Sequence, residues 1–386
     1  MLNRDVLREL AEFHSPDSCA VSFYFKPVRP QDKAHKGEAI MIKDLLRDAL
    51  RAAEHNGIAA ARPDLEKILS LSDRIQHGDH SHARAIFACS HRNLWREFEL
   101  PDLDRSRVVV NSRFHLVPLA VALNDLHRVG VVLADREKAR VFEIFNGTAT
   151  ERFGIFSDVS RNVRTNGWAG YDAGHIERHI SHEAMHHFKV VAEKVEKFLI
   201  VGDYDFVVFG VRDETWHELE PHLSIESRKR MIGRFSIDVA LADAAMVMRD
   251  ARPFVIAREQ SERDGLLREI TGEAQRNARG ALGLKRVLQS LERGEVQALL
   301  LGRDFQADAV ECSNCGHLDT RMVDECAVCA QPTRALNDVM PALISRALRS
   351  SVELHWVQDE QFARAGNIGA LLRFRADQNT PAKIAG

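Results

Sequence analysis

No apolar run in this sequence approaches the ~18 residues that a membrane-crossing helix requires. Neither G-x-x-x-x-G-K-[ST] nor G-x-G-x-x-G occurs, so the chain carries no P-loop or dinucleotide fingerprint. An excess of basic residues is also missing: 53 Lys and Arg stand against 56 Asp and Glu, for a net charge of −3. The molecule is therefore no polycation, and any nucleic-acid binding has to run through local patches. The opening MLNRDVLREL reads as a polar amphipathic helix and not as a signal peptide. Cysteine is scarce, six in 386 residues, and Cys19 and Cys89 stand alone in strand-like apolar runs that suit small buried side chains. A cytoplasmic chain with reduced thiols is the expectation, and the length points to two or three domains.

What is present is ordinary globular material, 45% hydrophobic and 28% charged. Residues 1 to about 125 read as an α/β unit. Helices are expected over Arg4 to Phe13, Ala39 to Ala53 and Leu65 to Gln76, and strands over Cys19 to Phe25, Ala83 to Cys89, Leu94 to Leu100, Val108 to Asn111 and Leu116 to Leu123. From about 126 a second unit begins with Val129 to Ala134 and Ala139 to Phe145, two strands joined by a charged turn in the manner of an antiparallel hairpin. A strand at Phe206 to Val211 and helices at Ile237 to Met248 and Ala257 to Asn277 follow. The third unit holds a helix closed by Gly294, a buried strand at Val296 to Leu301, a helix at Ala335 to Leu348, a strand at Val352 to Val357 and a last element at Gly366 to Phe374. The tail from Ala376 to Gly386 is expected to be disordered.

The centre of the chain is the stretch from Asn166 to Leu199. The loop NGWAGYDAG carries Gly167, Gly170 and Gly174 and leads into a helix from about His175 to Leu199. Ile176, Ile180, Ala184, Phe188, Val191, Val195 and Phe198 give that helix one buried face. A glycine-rich loop on a helix N-terminus exposes backbone N–H groups to a polyanion or an anionic transition state. The helix also spells HExxH at His182, Glu183 and His186, a zinc-hydrolase pattern. No extended HExxHxxGxxH supplies a third ligand, and the histidine stripe continues to His175 and His179, which reads more simply as a polar helix face.

The sharpest chemical signal is Cys312, Cys315, Cys326 and Cys329: CxxC, ten residues, CxxC. Two such knuckles place four thiolates around one Zn²⁺. Four thiolates close the shell, so one structural zinc per chain is expected, bracing a small insertion. Two disulfides or a redox CxxC pair fit less well in a reducing compartment.

The hairpin VVLADREKARVFEIF, the loop NGWAGYDAG, the helix ending HHFKVVAEKV, the segment LKRVLQSLERGEVQALLLG, the paired CxxC and the closing GNIGALLRF follow one another in a recognisable order. In this the chain resembles the bacterial relatives of archaeal and eukaryotic class-I release factors and Pelota, among them the Balon-like ribosome hibernation group. The likeness covers about Val129 to Phe374. It implies an α/β (α+β) protein of three domains. These are an N-terminal α/β domain (1–125) on the decoding-centre side, a middle mixed-sheet domain with a long helix (126–277) and a release-factor-like loop at 160–175, and an L7Ae-like C-terminal α/β domain (278–375). A zinc minidomain at 310–333 is inserted in the last of these. The family's Gly-Gly-Gln, whose glutamine serves peptidyl-tRNA hydrolysis, has no counterpart here: no glutamine occurs from Ser157 to Leu199. The stop-codon motifs Asn-Ile-Lys-Ser and Gly-Thr-Ser are missing too.

The resemblance thus implies a non-catalytic factor that fills the vacant A site during hibernation or stalling. Trp168 and Tyr171 would stack on rRNA or tRNA bases, Arg161, Arg164, His175 and Arg178 would contact phosphates, and Asn166, Gly167 and Gly170 would form the tip. A translational GTPase such as elongation factor Tu is a further partner to expect. The alternatives are a peptidyl-tRNA hydrolase or rescue factor, a zinc hydrolase built on HExxH, and an adaptor for a GTPase.

Overall fold

The structure, a computed structural model, describes residues 3–27, 35–55, 57–77, 83–100, 103–124, 127–156 and 171–376. Their contacts gather into two compact units, one formed by residues 126–261 and one by residues 1–125 together with 262–386.

In the N-terminal stretch, helix α1 (Arg4–Glu12) starts where the Asn3 side chain accepts a hydrogen bond from the Val6 N–H at 2.8 Å, satisfying one of the helix's orphan donors. Strand β1 (Ala20–Phe25) follows, then helices α2 (His35–His55) and α3 (Arg62–His77). The strands β2 (Ala83–Cys89), β3 (Leu94–Leu100) and β4 (Arg107–Asn111) join β1 in an antiparallel sheet of order β3-β2-β1-β4. Alternation along β1 sends Val21, Phe23 and Phe25 to the face covered by Ile42, Leu46, Leu65 and Ile68 of α2 and α3. Ala20 and Tyr24 point the other way, toward Leu7 and Leu10 of α1. Both faces of β1 are covered, which is why its sequence is an almost unbroken apolar run.

Residues Leu116 to Leu123, expected as a strand, form helix α4 (Val117–Asn124) instead. Every residue from 116 to 123 is apolar, so no period separates helix from strand. Pro118 decides it: it has no N–H for a ladder but is tolerated in a first helical turn.

In the middle unit, β5 (Val129–Ala134) and β6 (Lys138–Phe145) form the expected antiparallel hairpin. Asp135 Oδ1 closes its turn by accepting from the N–H groups of Glu137 and Lys138 at 2.8 and 2.7 Å. A third strand, β7 (Thr148–Phe156), extends it through a two-residue turn in which Asn146 (φ 50°) and Gly147 (φ 76°) are both left-handed, the combination that hairpins favour. Helix α5 (Tyr171–Val201) leads to β8 (Phe206–Gly210), helices α6 (Asp213–Leu219) and α7 (Ile225–Arg230), and β9 (Met231–Phe235). The sheet order is β7-β6-β5-β8-β9, with β8 parallel to both neighbours, a mixed sheet as expected. One face of the sheet carries Ala184, Phe188, Val191, Val195 and Leu199 of α5 against Val132, Val141, Val207 and Phe209. The other holds Val247 and Ala251 of helix α8 (Ala244–Gln275) against Val131, Leu133 and Val208.

The two helices expected over Ile237 to Met248 and Ala257 to Asn277 are this one helix. It starts later than expected because Asp243 Oδ1 accepts from Met246 N at 2.8 Å, a side-chain cap. Pro253 sits inside it without ending it.

The C-terminal stretch builds a second four-stranded sheet from β10 (Gly280–Leu282), β11 (Val296–Gly302), β15 (Glu353–Val357) and β16 (Ile368–Leu372), in the order β10-β16-β11-β15. Helix α9 (Leu284–Glu292) connects β10 to β11 and ends before Gly294, whose φ of +70° is the left-handed conformation anticipated for a cap. Between β11 and β15 lie the short strands β12 (Ala309–Cys312), β13 (Leu318–Asp319) and β14 (Thr333–Leu336) and helix α10 (Met340–Arg349). The start expected for α10, Ala335, falls in β14, and Asp338 sets the true boundary by accepting from Met340 N at 2.9 Å. The short helix α11 (Glu360–Arg364) precedes β16. Leu7, Leu10, Phe114 and Leu119 share one core with Val287, Leu299, Leu343 and Trp356, so the two ends of the chain fold as one unit. The tail beyond Ala376 lies outside the described residues.

Candidate metal centre and the long helix

β12 pairs with β13 on one side and β14 on the other, and this small sheet delivers the cysteines to one point. The four Sγ atoms of Cys312, Cys315, Cys326 and Cys329 all lie within 4.8 Å of one another. Three of the separations are 3.4 Å (Cys312–Cys329), 3.5 Å (Cys315–Cys329) and 3.7 Å (Cys315–Cys326). A tetrahedral ion with bonds of ~2.3 Å to sulfur sets such edges at ~3.8 Å, so the thiols fit one.

Each CxxC makes the same turn. The Gly316 N–H donates to the Cys312 carbonyl at 3.1 Å and the Ala330 N–H to the Cys326 carbonyl at 2.9 Å. Gly316 (φ +69°) and Ala330 (φ +53°) are both left-handed, and glycine suits the first turn while alanine bears some strain in the second. Backbone N–H groups point at sulfur as well: Asn314 and Cys315 at Cys312 Sγ (3.4 and 3.5 Å), and Val328 at Cys326 Sγ (3.4 Å). Those from Cys315 and then Asn314 pull the Cys312 thiol down to about 6. Cys315 is pushed up to about 12: the His317 N–H pulls the other way, but burial and the three neighbouring thiols prevail. Four thiolates crowded this closely repel one another, and a bound cation removes that repulsion. His317 stays out of the ligand set, since its Nδ1 engages Glu292 Oε1 at 3.1 Å and its carbonyl accepts from Cys312 N at 2.9 Å.

The sequence reading missed the ion pairs that seat this small sheet. Glu311, 3% exposed, takes Arg113 Nη1 at 2.6 Å on one oxygen and Arg334 Nη2 at 2.6 Å on the other. Arg334 stands opposite Glu311 in the β12–β14 register, but Arg113 is 198 residues away and no local signal predicts it. Glu292 likewise joins His317 to Arg346, whose Nη2 donates at 2.8 Å.

On α5 the expected buried stripe is met at Ala184, Phe188, Val191 and Val195. His182 and His186 are exposed, Glu183 is half-buried, and Lys189, Lys194 and Lys197 are exposed along the same helix. Among the described residues, no third histidine, cysteine or carboxylate gathers with the HExxH pair. His187, next to the motif, is buried in the core, and burial holds its pKa below the ordinary histidine value. Of the expected RNA-contacting residues, Arg161, Arg164, Asn166, Gly167, Trp168 and Gly170 lie outside the described residues. Tyr171, His175 and Arg178 fall on the opening turns of α5, where the backbone alone is described.

Residues 115–253 match the sequence family described as "Bacterial archaeo-eukaryotic release factor family 10", which bears out the resemblance read from the motifs. No curated protein matches the chain. Among solved structures, the archaeal translation termination factor aRF1 is 16% identical, with 97% of this chain and 99% of that one covered and a TM-score of 0.26. Pelota of Archaeoglobus fulgidus is 12% identical, with 97% and 93% covered and a TM-score of 0.37. Dom34 of S. cerevisiae, a translation termination-like factor, is 10% identical, with 78% and 83% covered and a TM-score of 0.39.

Proposed function

We propose that this protein is a ribosome-binding translation factor that occupies the vacant A site, in hibernation or stalling, without hydrolysing peptidyl-tRNA. The observation that carries the reading is the match of residues 115–253 to a release-factor family in a segment that has no glutamine from Ser157 to Leu199. The polar side chains of the loop, Asn166, Tyr171 and Asp172, include no recognisable nucleophile–base pair. The loop therefore acts by occupancy. Gly167 and Gly170 allow close backbone approach, and the N-terminus of α5 favours phosphate. Trp168 and Tyr171 stack on bases, while Arg161, Arg164, His175 and Arg178 hold the backbone.

In this reading residues 1–125 face the decoding centre, 126–277 reach toward the peptidyl-transferase centre, and 278–375 form the L7Ae-like end. The metal is one structural Zn²⁺ on Cys312, Cys315, Cys326 and Cys329, which braces the small sheet. The partners are the ribosome, tRNA and a translational GTPase such as elongation factor Tu, in the cytoplasm. Cosedimentation of the tagged chain with ribosomes from growing and from starved cells tests the reading. Comigration with 70S particles, stronger in starved cells, supports it; protein that stays at the top of both gradients refutes it.

A further inference from the structure

Cationic side chains from four stretches distant in sequence meet on one face of the unit built from residues 1–125 and 262–386. Arg113, between β4 and α4, and Arg334, on β14, both grip the buried Glu311. Arg346 donates to Glu292 and reaches the Gly316 carbonyl at 3.5 Å. A Cβ placed on Gly316 would stand 3.6 Å from Arg113 Nη2, so Arg113 and Arg346 both lie against that glycine. Arg349 lies three residues beyond Arg346 on the same face of α10. His14 joins from the loop after α1, which is tied beside Arg113 by the Ser15 N–H donating to the Ser112 carbonyl at 2.8 Å.

Two of the carboxylates here are engaged, while Glu12 also faces Arg349. Glu311 is shared by Arg113 and Arg334, and Glu292 by Arg346 and His317. Arg349 is left over. Its Nε donates to the Ser345 carbonyl at 3.3 Å in a part-buried contact, the residue as a whole still reaches solvent, and among the described residues no carboxylate lies within ion-pair distance of it. Burial, and after it the charges of Arg113 and Arg346, hold its pKa below the ordinary arginine value, with Glu311 and Glu12 opposing. His14 is depressed in the same way, by burial and then by Arg113 and Arg334. Among the described residues most arginines have a carboxylate partner, whereas Arg349 has none and faces the charges of Arg113 and Arg346.

We propose that the cluster of Arg349, Arg346, Arg113 and His14 is a binding site for the phosphodiester backbone of RNA, with Arg349 gripping the phosphate. The guanidinium fork matches two phosphate oxygens and keeps its charge at any physiological pH. Excess positive charge that repels itself in the free protein is what a phosphate neutralises. The identification of the polyanion as RNA rests on the ribosomal reading above.

The test uses the full, metal-loaded chain and a fluorescein-labelled 20-nucleotide RNA, with affinity measured across salt concentrations. Arg349 makes no ion pair, so Arg349→Ala leaves the Glu311 pairs and the fold in place; metal content and melting midpoint verify this. The variant loses about tenfold in affinity, the worth of a charged hydrogen bond. Its slope of log affinity against log salt falls by roughly 0.7, one phosphate contact on a single strand. Arg349→Lys keeps part of the affinity, and Arg47→Ala, an exposed arginine on α2, leaves affinity and slope as they were. Three results overturn the proposal. The wild-type chain binds no RNA; or Arg349→Ala matches wild type in affinity and slope; or Arg349→Ala loses binding to a polyglutamate peptide with RNA binding unchanged, which makes the cluster a protein-docking site. Cosedimentation with ribosomes is run in parallel. RNA binding that depends on Arg349 in a chain that ignores ribosomes sinks the ribosomal reading and leaves the cluster standing.

Discussion

Replacing Cys326 by serine removes one of the four thiols of the candidate metal centre and tests how far the small sheet depends on a bound ion. Structural zinc sites of this kind contribute apparent binding free energies of ~10–16 kcal/mol. An even share per thiolate is ~3 kcal/mol, so Cys326→Ser should weaken the metal by roughly a hundredfold or more. The sheet has little else to hold it. From 309 to 336 the buried apolar side chains other than cysteine are Ala309, Val310 and Leu318. Leu318 also belongs to the core shared by both ends of the chain, and its burial is worth roughly 1.5–3 kcal/mol. Loss of the metal should therefore open residues 313–332 and weaken that core. In a unit of this size the melting midpoint should fall by roughly 5–10 °C. Metal analysis by mass spectrometry, a thermal melt and amide exchange read the three effects. If Cys326→Ser keeps one metal per chain and melts with wild type, the reasoning fails. It fails equally if wild type purified without chelator carries no metal.

His115 predicts an acid limit. Burial, and after it Arg107, depress its pKa from 6.5 to about 4, so the unfolded chain takes up the proton first. The contribution is whole above pH 6.5 and is lost as pH falls toward 4, up to roughly 3 kcal/mol at about 1.4 kcal/mol per pH unit. Urea midpoints followed across that window should drop more steeply for wild type than for His115→Asn, and equal slopes would count against the assignment. Phe188→Ala, at a fully buried position of α5, should cost roughly 3–5 kcal/mol in a denaturant titration. Gly280→Ala places a Cβ 2.3 Å from the Ile270 carbonyl oxygen and the Ala274 nitrogen, both backbone, so it should destabilise the unit as well; an unchanged midpoint would show that the helix end can move. Trp168→Ala should weaken ribosome binding by ~1–3 kcal/mol, the worth of one stacked base, in a pelleting titration.

The sequence is most readable where the pattern is local. The β5–β6 hairpin was legible from two apolar runs and a charged turn, and the gathering of four cysteines at one point from their spacing alone. The Asn146-Gly147 pair is a local turn signal of the same kind, and it leads into β7. Leu116 to Leu123 misled because a uniformly apolar run has no period, and the proline within it was the deciding residue. The break assumed between two helices at 248–257 does not exist, since the capping residue Asp243 sets the start of α8 and Pro253 does not end it. What no local reading reaches is long-range: the pairing of Arg113 with Glu311, and the single core that Leu7 and Leu119 share with Leu343 and Trp356. Such contacts are set by how elements dock, and no spacing rule encodes them.

Occupancy without hydrolysis is tested most directly on ribosomes that carry a labelled peptidyl-tRNA. The purified chain is added in excess and the particles are pelleted. The protein and the labelled peptide should both be found in the pellet, with the supernatant at background, whether or not a stop codon stands in the A site. Labelled peptide released to the supernatant well above background, and no longer released when Asn166 or Trp168 is replaced, would contradict the account and make the loop a catalytic one.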